Sequence, residues 1–89
     1  MEDPIDQLLT QAQLAFEKNH LTTPEDSSAY RFYLDVLGID HHNEIALLGI
    51  NNIIEQYLSW ALANADSGHY SQARKYLQRA SSIDGSHPN

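Results

Sequence analysis

Residues 43–84, NEIALLGINNIIEQYLSWALANADSGHYSQARKYLQRASSID, decide the fold that we expect for this chain. Apolar residues recur through this stretch at three- and four-residue steps, the period of an amphipathic helix. The pattern breaks at Ser67-Gly68-His69. The stretch therefore predicts a long third helix at about 44–66, a tight turn, and a shorter fourth helix at about 70–82.

The apolar residues of these two helices predict their buried faces. Helix three has one stripe that is apolar throughout and further apolar residues beyond it, which indicates a helix covered on more than one side. Gly49 inside it costs about 1 kcal/mol relative to alanine, and a close helix crossing would explain the choice. The stripe of helix three is Ala46, Ile50, Ile53, Ile54, Tyr57, Ala61 and Ala65. The apolar residues beyond the stripe are Leu47, Leu48, Leu58, Trp60 and Leu62. We expect helix four to turn Ala73, Leu77 and Ala80 inward.

The beginning of the chain predicts another helix followed by a loop. Asp3-Pro4 is typical of a helix start, because aspartate caps a first-turn amide and proline fits the first helical position. Asn19 can end this helix in a left-handed conformation. The stretch 20–28, HLTTPEDSS, is interpreted as a loop in which Leu21 turns inward. The inward stripe of helix one is Ile5, Leu8, Leu9, Ala12, Ala15 and Phe16.

Helix two is predicted at about 28–38, with Asp26 or Ser27 as its cap. We expect Gly38 to end this helix and Ile39 to fold back as the apolar contact that often accompanies such an end. Asn43 is the expected N-cap of helix three. The inward stripe of helix two is Ala29, Tyr33, Val36 and Leu37, widened by Tyr30 and Leu34.

Composition narrows the classes of function. The 89 residues fit one domain, and the net charge of −7 argues against nucleic acid or an anionic membrane as a partner. Without cysteine, neither a disulfide framework nor a thiolate metal site can form. The acidic start is unlike a secretory signal, and no apolar run reaches the roughly 18–20 residues of a membrane span. We expect a soluble domain, cytoplasmic or periplasmic, and the ending IDGSHPN looks cut from a longer chain.

Two segments of the chain match each other at an offset of 44 residues. The first is Ala29, Tyr33, Val36, Ile39 and Asp40, and the second is Ala73, Leu77, Ala80, Ile83 and Asp84, at the same steps. The match predicts two antiparallel helical hairpins, at about 4–39 and 43–84. Neither hairpin can bury its apolar face alone, so we expect the two to pack together in a single domain, 1–89.

In its second hairpin the chain resembles the tetratricopeptide repeat. The matching residues are Trp60-Ala61 in the first helix, Gly68 and Tyr70 at the turn, Ala73, Leu77 and Ala80 in the second helix, and Ile83-Asp84 at the exit. The first hairpin fits less closely, with a longer turn, Asn19 in place of glycine and Val36 in place of alanine. The resemblance implies an all-α, right-handed stack of two hairpins with an elongated third helix. The chain is also similar to the short modules of this kind that are attached to larger bacterial envelope or signalling proteins.

The titratable residues do not form a recognisable site for chemistry. The five histidines fall in turns or at the C-terminus, without the HxxxH spacing that places two metal ligands on one helix face. The sequence has no nucleophile motif and no phosphate-binding glycine loop. Asp40 and Asp84 recur at matched exits, where we expect local hydrogen bonds to the next helix. We therefore expect no enzymatic activity, no metal and no cofactor.

The resemblance implies that the first helix of each hairpin lines a concave, partner-binding face. The residues carried over are Asp6, Leu9, Thr10, Gln13, Phe16 and Glu17 of helix one and Glu55, Leu58, Ser59, Leu62 and Asp66 of helix three. They would form an apolar, acid-edged groove for a helix or peptide that carries basic residues. The alternative is that these apolar residues complete the core or meet a neighbouring repeat or subunit, as in a structural spacer or a homodimerisation domain.

Overall fold

The structure, a computed structural model, describes residues 3–85, with side chains up to Ile83. The regular secondary structure of this part of the chain is α-helix. The helices are α1 (Pro4–Glu17), α2 (Ala29–Ile39), α3 (Glu44–Asp66) and α4 (Tyr70–Gly85). The expected all-α class of four helices with an elongated third helix is confirmed. The chain divides into two compact units, Met1–Ile50 and Asn51–Asn89, and the division falls within α3.

The starts of α1 and α3 follow from single capping side chains. Asp3 Oδ1 accepts the N–H of Ile5 at 2.8 Å, and Pro4 occupies the first helical position. Asn43 Oδ1 accepts the N–H of Ala46 at 2.9 Å. Each cap satisfies an amide that has no partner within the first turn. Both predicted helix starts are confirmed.

The start of α2 differs from the prediction, because neither Asp26 nor Ser27 is the cap. The buried Ser28 is the N-cap, and its Oγ accepts the N–H of Arg31 at 3.2 Å. The loop before it is tied to the helix through its backbone, by the N–H of Ala29 donating to His20 O at 2.7 Å and the N–H of Tyr30 donating to Leu21 O at 2.9 Å. Leu21 is buried, as expected. These bonds fix Ser28 as the residue at the helix entrance.

The ends of α1 and α3 share one local structure. Asn19 and Gly68 have positive φ angles of 63° and 84°. The bonds are Asn19 N–H to Phe16 O at 2.9 Å and His20 N–H to Ala15 O at 2.8 Å in one turn, and Gly68 N–H to Ala65 O at 3.0 Å and His69 N–H to Asn64 O at 2.7 Å in the other. This is the paired pattern of the Schellman motif, which satisfies carbonyls left open at a helix end. The predicted left-handed end at Asn19 and the predicted turn at Gly68 are confirmed.

The first unit is organised by α1 packing against α2. Small residues allow the close approach of the two helices, since Ala12 and Ala29 are completely buried. Gly49 is also buried, and the ring of Tyr33 occupies the space where a side chain at Gly49 would begin. The buried residues of this unit are Ala12, Ala15, Leu21, Ser28, Ala29, Tyr33, Val36, Ala46, Gly49 and Ile50.

The end of α2 departs from the prediction at Gly38 and Ile39. The helix continues through both residues, and Asp40 follows as its cap in an extended conformation. The N–H of Asp40 still donates to Val36 O at 2.8 Å, so a left-handed glycine is not needed here. Ile39 is 57% exposed and does not fold back. Asp40 makes a local bond to the connector rather than to the start of α3, because its Oδ1 accepts the N–H of His42 at 3.2 Å. The bond expected from Asp84 lies outside the described side chains.

In the second unit, aromatic rings join α3 to α4. Tyr76 on α4 lies 6.0 Å from Tyr57 and 5.5 Å from Trp60, measured between ring centroids. Leu77, which was expected to turn inward, is 50% exposed, because Tyr76 takes the inner position. The helix also runs past the expected end at Ser82 to Gly85, so residues 83–84 are helical rather than an exit. The buried residues here are Ile53, Tyr57, Ala61, Ala73, Ala80 and Ile83.

The expectation that α3 is covered on more than one side is wrong for four of its leucines. Leu47, Leu48, Leu58 and Leu62 are all exposed, while Trp60 is half-buried. The buried stripe of α3 is narrower than the apolar pattern, and these leucines lie outside it. The helix therefore presents apolar side chains to solvent.

Candidate functional site

The candidate site of the second unit is one exposed face of α3. Leu58 is 40% exposed and Leu62 is 68% exposed. They are four residues apart, so they are neighbours on the helix surface, about 6 Å apart along the axis. We call these two residues with Glu55, Ser59 and Asp66 the α3 strip. All five were predicted from the sequence to contact a partner, and the structure places all five on the exposed surface of one helix.

Two carboxylates bound the α3 strip along the helix. Glu55 precedes Leu58 by three residues, and Asp66 follows Leu62 by four, so each lies about one turn from a leucine. The Nδ2 of Asn51, a neutral and exposed amide, donates to Glu55 Oε1 at 3.4 Å. Two negative charges thus flank an apolar centre. Such a surface favours a ligand that is apolar in the middle and positively charged at its edges.

The predicted residues of α1 lie in the first unit. Leu9 and Gln13 line a shallow, open depression of about 360 Å³. Its other lining residues are Thr10, Leu14, Glu17, Tyr33 and Ile45. Asp6 and the half-buried Phe16 do not line this depression, so the structure brings together four of the six α1 residues predicted to contact a partner. The groove expected between helices one and three remains a prediction.

Sequence reasoning missed Tyr76 and its neighbours on the hairpin contact. Tyr57 lies edge-on to Trp60 at 5.8 Å between centroids, and the guanidinium carbon of Arg79 lies 5.9 Å from the Tyr57 ring centroid. Arg79 therefore covers the buried Tyr57 in a cation–π arrangement. The signal was present, because Ala73, Tyr76, Ala80 and Ile83 follow at steps of three, four and three. The repeat offset pairs Leu77 of α4 with Tyr33 of α2, and so it favoured Leu77 over Tyr76 as the inward residue.

Tyr33 is a buried titratable group. Burial raises the pKa of the Tyr33 phenol above its ordinary value of 10.0. Within residues 3–83, no cluster of three or more histidine and carboxylate side chains is arranged to hold a metal ion. The four histidines in this range, His20, His41, His42 and His69, are exposed and outside the helices; His87 lies beyond the described residues.

No helix in the described part of the chain is long and apolar enough to cross a membrane. Comparisons with protein-family models, curated proteins and solved structures found no match.

Proposed function

We propose that this chain is a non-enzymatic protein interaction module in which the α3 strip binds an amphipathic helix or peptide that carries basic residues. The observation that carries the proposal is the exposure of Leu58 and Leu62 one turn apart, between Glu55 and Asp66. A lone exposed leucine is common on protein surfaces. Two adjacent ones bounded by charges are the arrangement of a small docking surface.

The chemistry of the α3 strip favours a helical ligand. Leucines at a four-residue spacing match apolar side chains of a partner helix that recur at three and four residues. Covering the exposed part of Leu62 removes apolar surface from water, at about 25 cal/mol per Å² before the costs of association. Glu55 and Asp66 remain near the edge, where paired charges steer association and select the partner more than they add affinity.

We also propose that the module belongs to the tetratricopeptide-like class of helical hairpins, within a larger protein. Two features support this proposal. The first helix of each hairpin ends in the same Schellman turn, at Asn19 and Gly68. The α3–α4 hairpin buries Ala61, Ala73 and Ala80, the small residues that allow helices in such hairpins to approach closely.

Fluorescence anisotropy with a labelled probe tests the binding proposal. The basic probe is a helix-forming peptide of about 18 residues, with leucines at three- and four-residue steps and lysines elsewhere. Its acidic counterpart has glutamate in place of lysine. We expect the chain to bind the basic probe and to bind the acidic probe at least about tenfold more weakly, because Glu55 and Asp66 repel it.

Leu58→Glu combined with Leu62→Glu should abolish binding of the basic probe, since the probe would have to cover two carboxylates with apolar side chains. Ala63→Glu is the matched control, because it adds a carboxylate on the exposed surface of the same helix beside the strip. Helicity is checked by circular dichroism. Equal affinity of the double variant and the wild type for the basic probe would refute the assignment of the α3 strip.

A further inference from the structure

The charges of the second unit are separated between its two helices. From Asn51 to Asp66, the charged residues of α3 are Glu55 and Asp66, both acidic. From Tyr70 to Ile83, those of α4 are Arg74, Lys75 and Arg79, three of the five basic residues in a chain of net charge −7. An acidic helix is thus followed by a basic one within the same hairpin.

The basic helix also has an exposed apolar side. Tyr70 is 68% exposed and Leu77 is 50% exposed. They are seven residues apart, and Arg74 lies between them at steps of four and three, so the three side chains share one side of α4. We call Tyr70, Arg74 and Leu77 the α4 flank. This side is separate from the hairpin contact, where the adjacent Tyr76 meets Tyr57 and Trp60.

We propose that the α4 flank of one copy of this chain docks on the α3 strip of a second copy. The inference rests on the proposed function, since it assigns an occupant to the same strip. The flank has the chemistry that the strip selects: apolar side chains at helical spacing with a basic residue between them. Leu77 of one copy would pack between Leu58 and Leu62 of the other, and Arg74 would pair with Glu55 or Asp66.

The apolar parts of the two surfaces are both short. Leu58 and Leu62 span about 6 Å along α3, and Tyr70 and Leu77 span about 10 Å along α4, at a rise of about 1.5 Å per residue. Both apolar parts thus cover one to two helical turns, which is enough for a weak contact and too little for an obligate interface. We therefore expect concentration-dependent association that high salt weakens, because pairing between exposed charges is screened.

The geometry makes this association head-to-tail. Leu58 and Leu62 are each two residues from Trp60, and so lie roughly 160° around α3 from it. Trp60 contacts α4 through Tyr76, so the α3 strip is on the side of α3 turned away from α4 of the same copy. In a twofold dimer, the strip of each copy would have to meet the flank of the other at the same time, which this placement of the two surfaces disfavours. Each pairing therefore leaves one strip and one flank free, and chains of copies can grow.

Sedimentation velocity on the wild type and two variants tests the inference, over concentrations up to about 1 mM because the contact is small. The wild type should sediment faster as concentration rises. Leu62→Glu removes the strip and Leu77→Glu removes the flank, so each variant alone should remain monomeric. An equimolar mixture should form a dimer and stop there, since the intact flank of Leu62→Glu docks on the intact strip of Leu77→Glu.

Two controls address folding and charge. Ala63→Glu on α3 and Gln72→Glu on α4 add the same charge at exposed positions outside the two surfaces, and both should associate like the wild type.

Arg74→Glu should weaken association about tenfold or more, and mixing it with a Glu55→Arg/Asp66→Arg variant should restore pairing. Circular dichroism verifies that every variant is helical.

Three results would overturn the inference: a wild type that stays monomeric throughout, a mixture of the two variants that does not dimerise, or a Leu77→Glu variant that associates like the wild type. The last result would indicate a strip-to-strip contact instead. None of them refutes the proposed function if the basic probe still binds the wild type and fails to bind the Leu58→Glu/Leu62→Glu variant. Loss of both self-association and probe binding would refute the two together.

Discussion

The substitution Gly49→Ala tests the packing of α2 side chains on α3 within the first unit. A Cβ atom on Gly49 would lie 2.5 Å from Cε2 and 2.6 Å from Cε1 of Tyr33, closer than carbon atoms approach in proteins. Tyr33 is buried, so its ring cannot move out without disturbing its neighbours. The sequence shows only a glycine in a helix, and the structure supplies the reason for it.

Two opposing effects set the magnitude. Alanine gains about 1 kcal/mol over glycine within a helix. Forcing a methyl group into a filled space costs about 1–3 kcal/mol, and three ring carbons of Tyr33 are in the way, which favours the upper part of that range. We expect Gly49→Ala to lower the free energy of unfolding by about 1–2 kcal/mol.

Urea denaturation followed by circular dichroism measures this change, and two further variants separate its causes. Gly38→Ala is the matched control, because no atom lies within 4 Å of a Cβ at Gly38, and it should stabilise the chain by about 0.5–1 kcal/mol. Tyr33→Leu removes the ring carbons in question, so Gly49→Ala should be stabilising in that background. If Gly49→Ala stabilises the otherwise wild-type chain as much as Gly38→Ala does, the packing argument is wrong.

Two more predictions concern pH and the α3–α4 turn. Because burial raises the pKa of Tyr33, its contribution to the free energy of unfolding is complete below pH 10.0 and is lost as the pH rises through the raised pKa. Unfolding at pH values on either side of 10.0 should show a steeper loss for the wild type than for Tyr33→Phe, and equal slopes would contradict this cause. Gly68→Ala should lower the free energy of unfolding by about 1–2 kcal/mol, because the φ of 84° at this position is unfavourable for a residue with a Cβ. Chemical denaturation measures this change, and an unchanged denaturation midpoint would show that the turn relaxes.

The features that the sequence predicts correctly depend on residues close together in the chain. Asp3 and Asn43 cap helices through bonds to amides two or three residues away. Asn19 and Gly68 end helices through their own φ angles. Local chemistry decides such features, so local patterns identify them. The residues of the α3 strip also lie on one helix, and their role in binding stays a prediction.

The features that the sequence does not predict depend on residues distant along the chain. Tyr76 and Leu77 are both plausible inward residues, and the choice is made by ring contacts with Tyr57 and Trp60 on another helix. Ile39 and Ile83 match at the repeat offset, yet Ile39 is exposed and Ile83 is buried. Residues at matched positions of the two hairpins thus differ in burial, although the repeat offset predicts the same burial for both.

Chemical-shift mapping of the backbone amides with the basic probe shows directly whether the probe binds at the α3 strip. We expect the probe, titrated into the isotopically labelled chain, to shift the amides of residues 55–66, most strongly around Leu58 and Leu62. Leu58→Glu combined with Leu62→Glu should remove these shifts. Shifts confined to other residues, or no shifts at all, would contradict the assignment of the α3 strip as a binding surface.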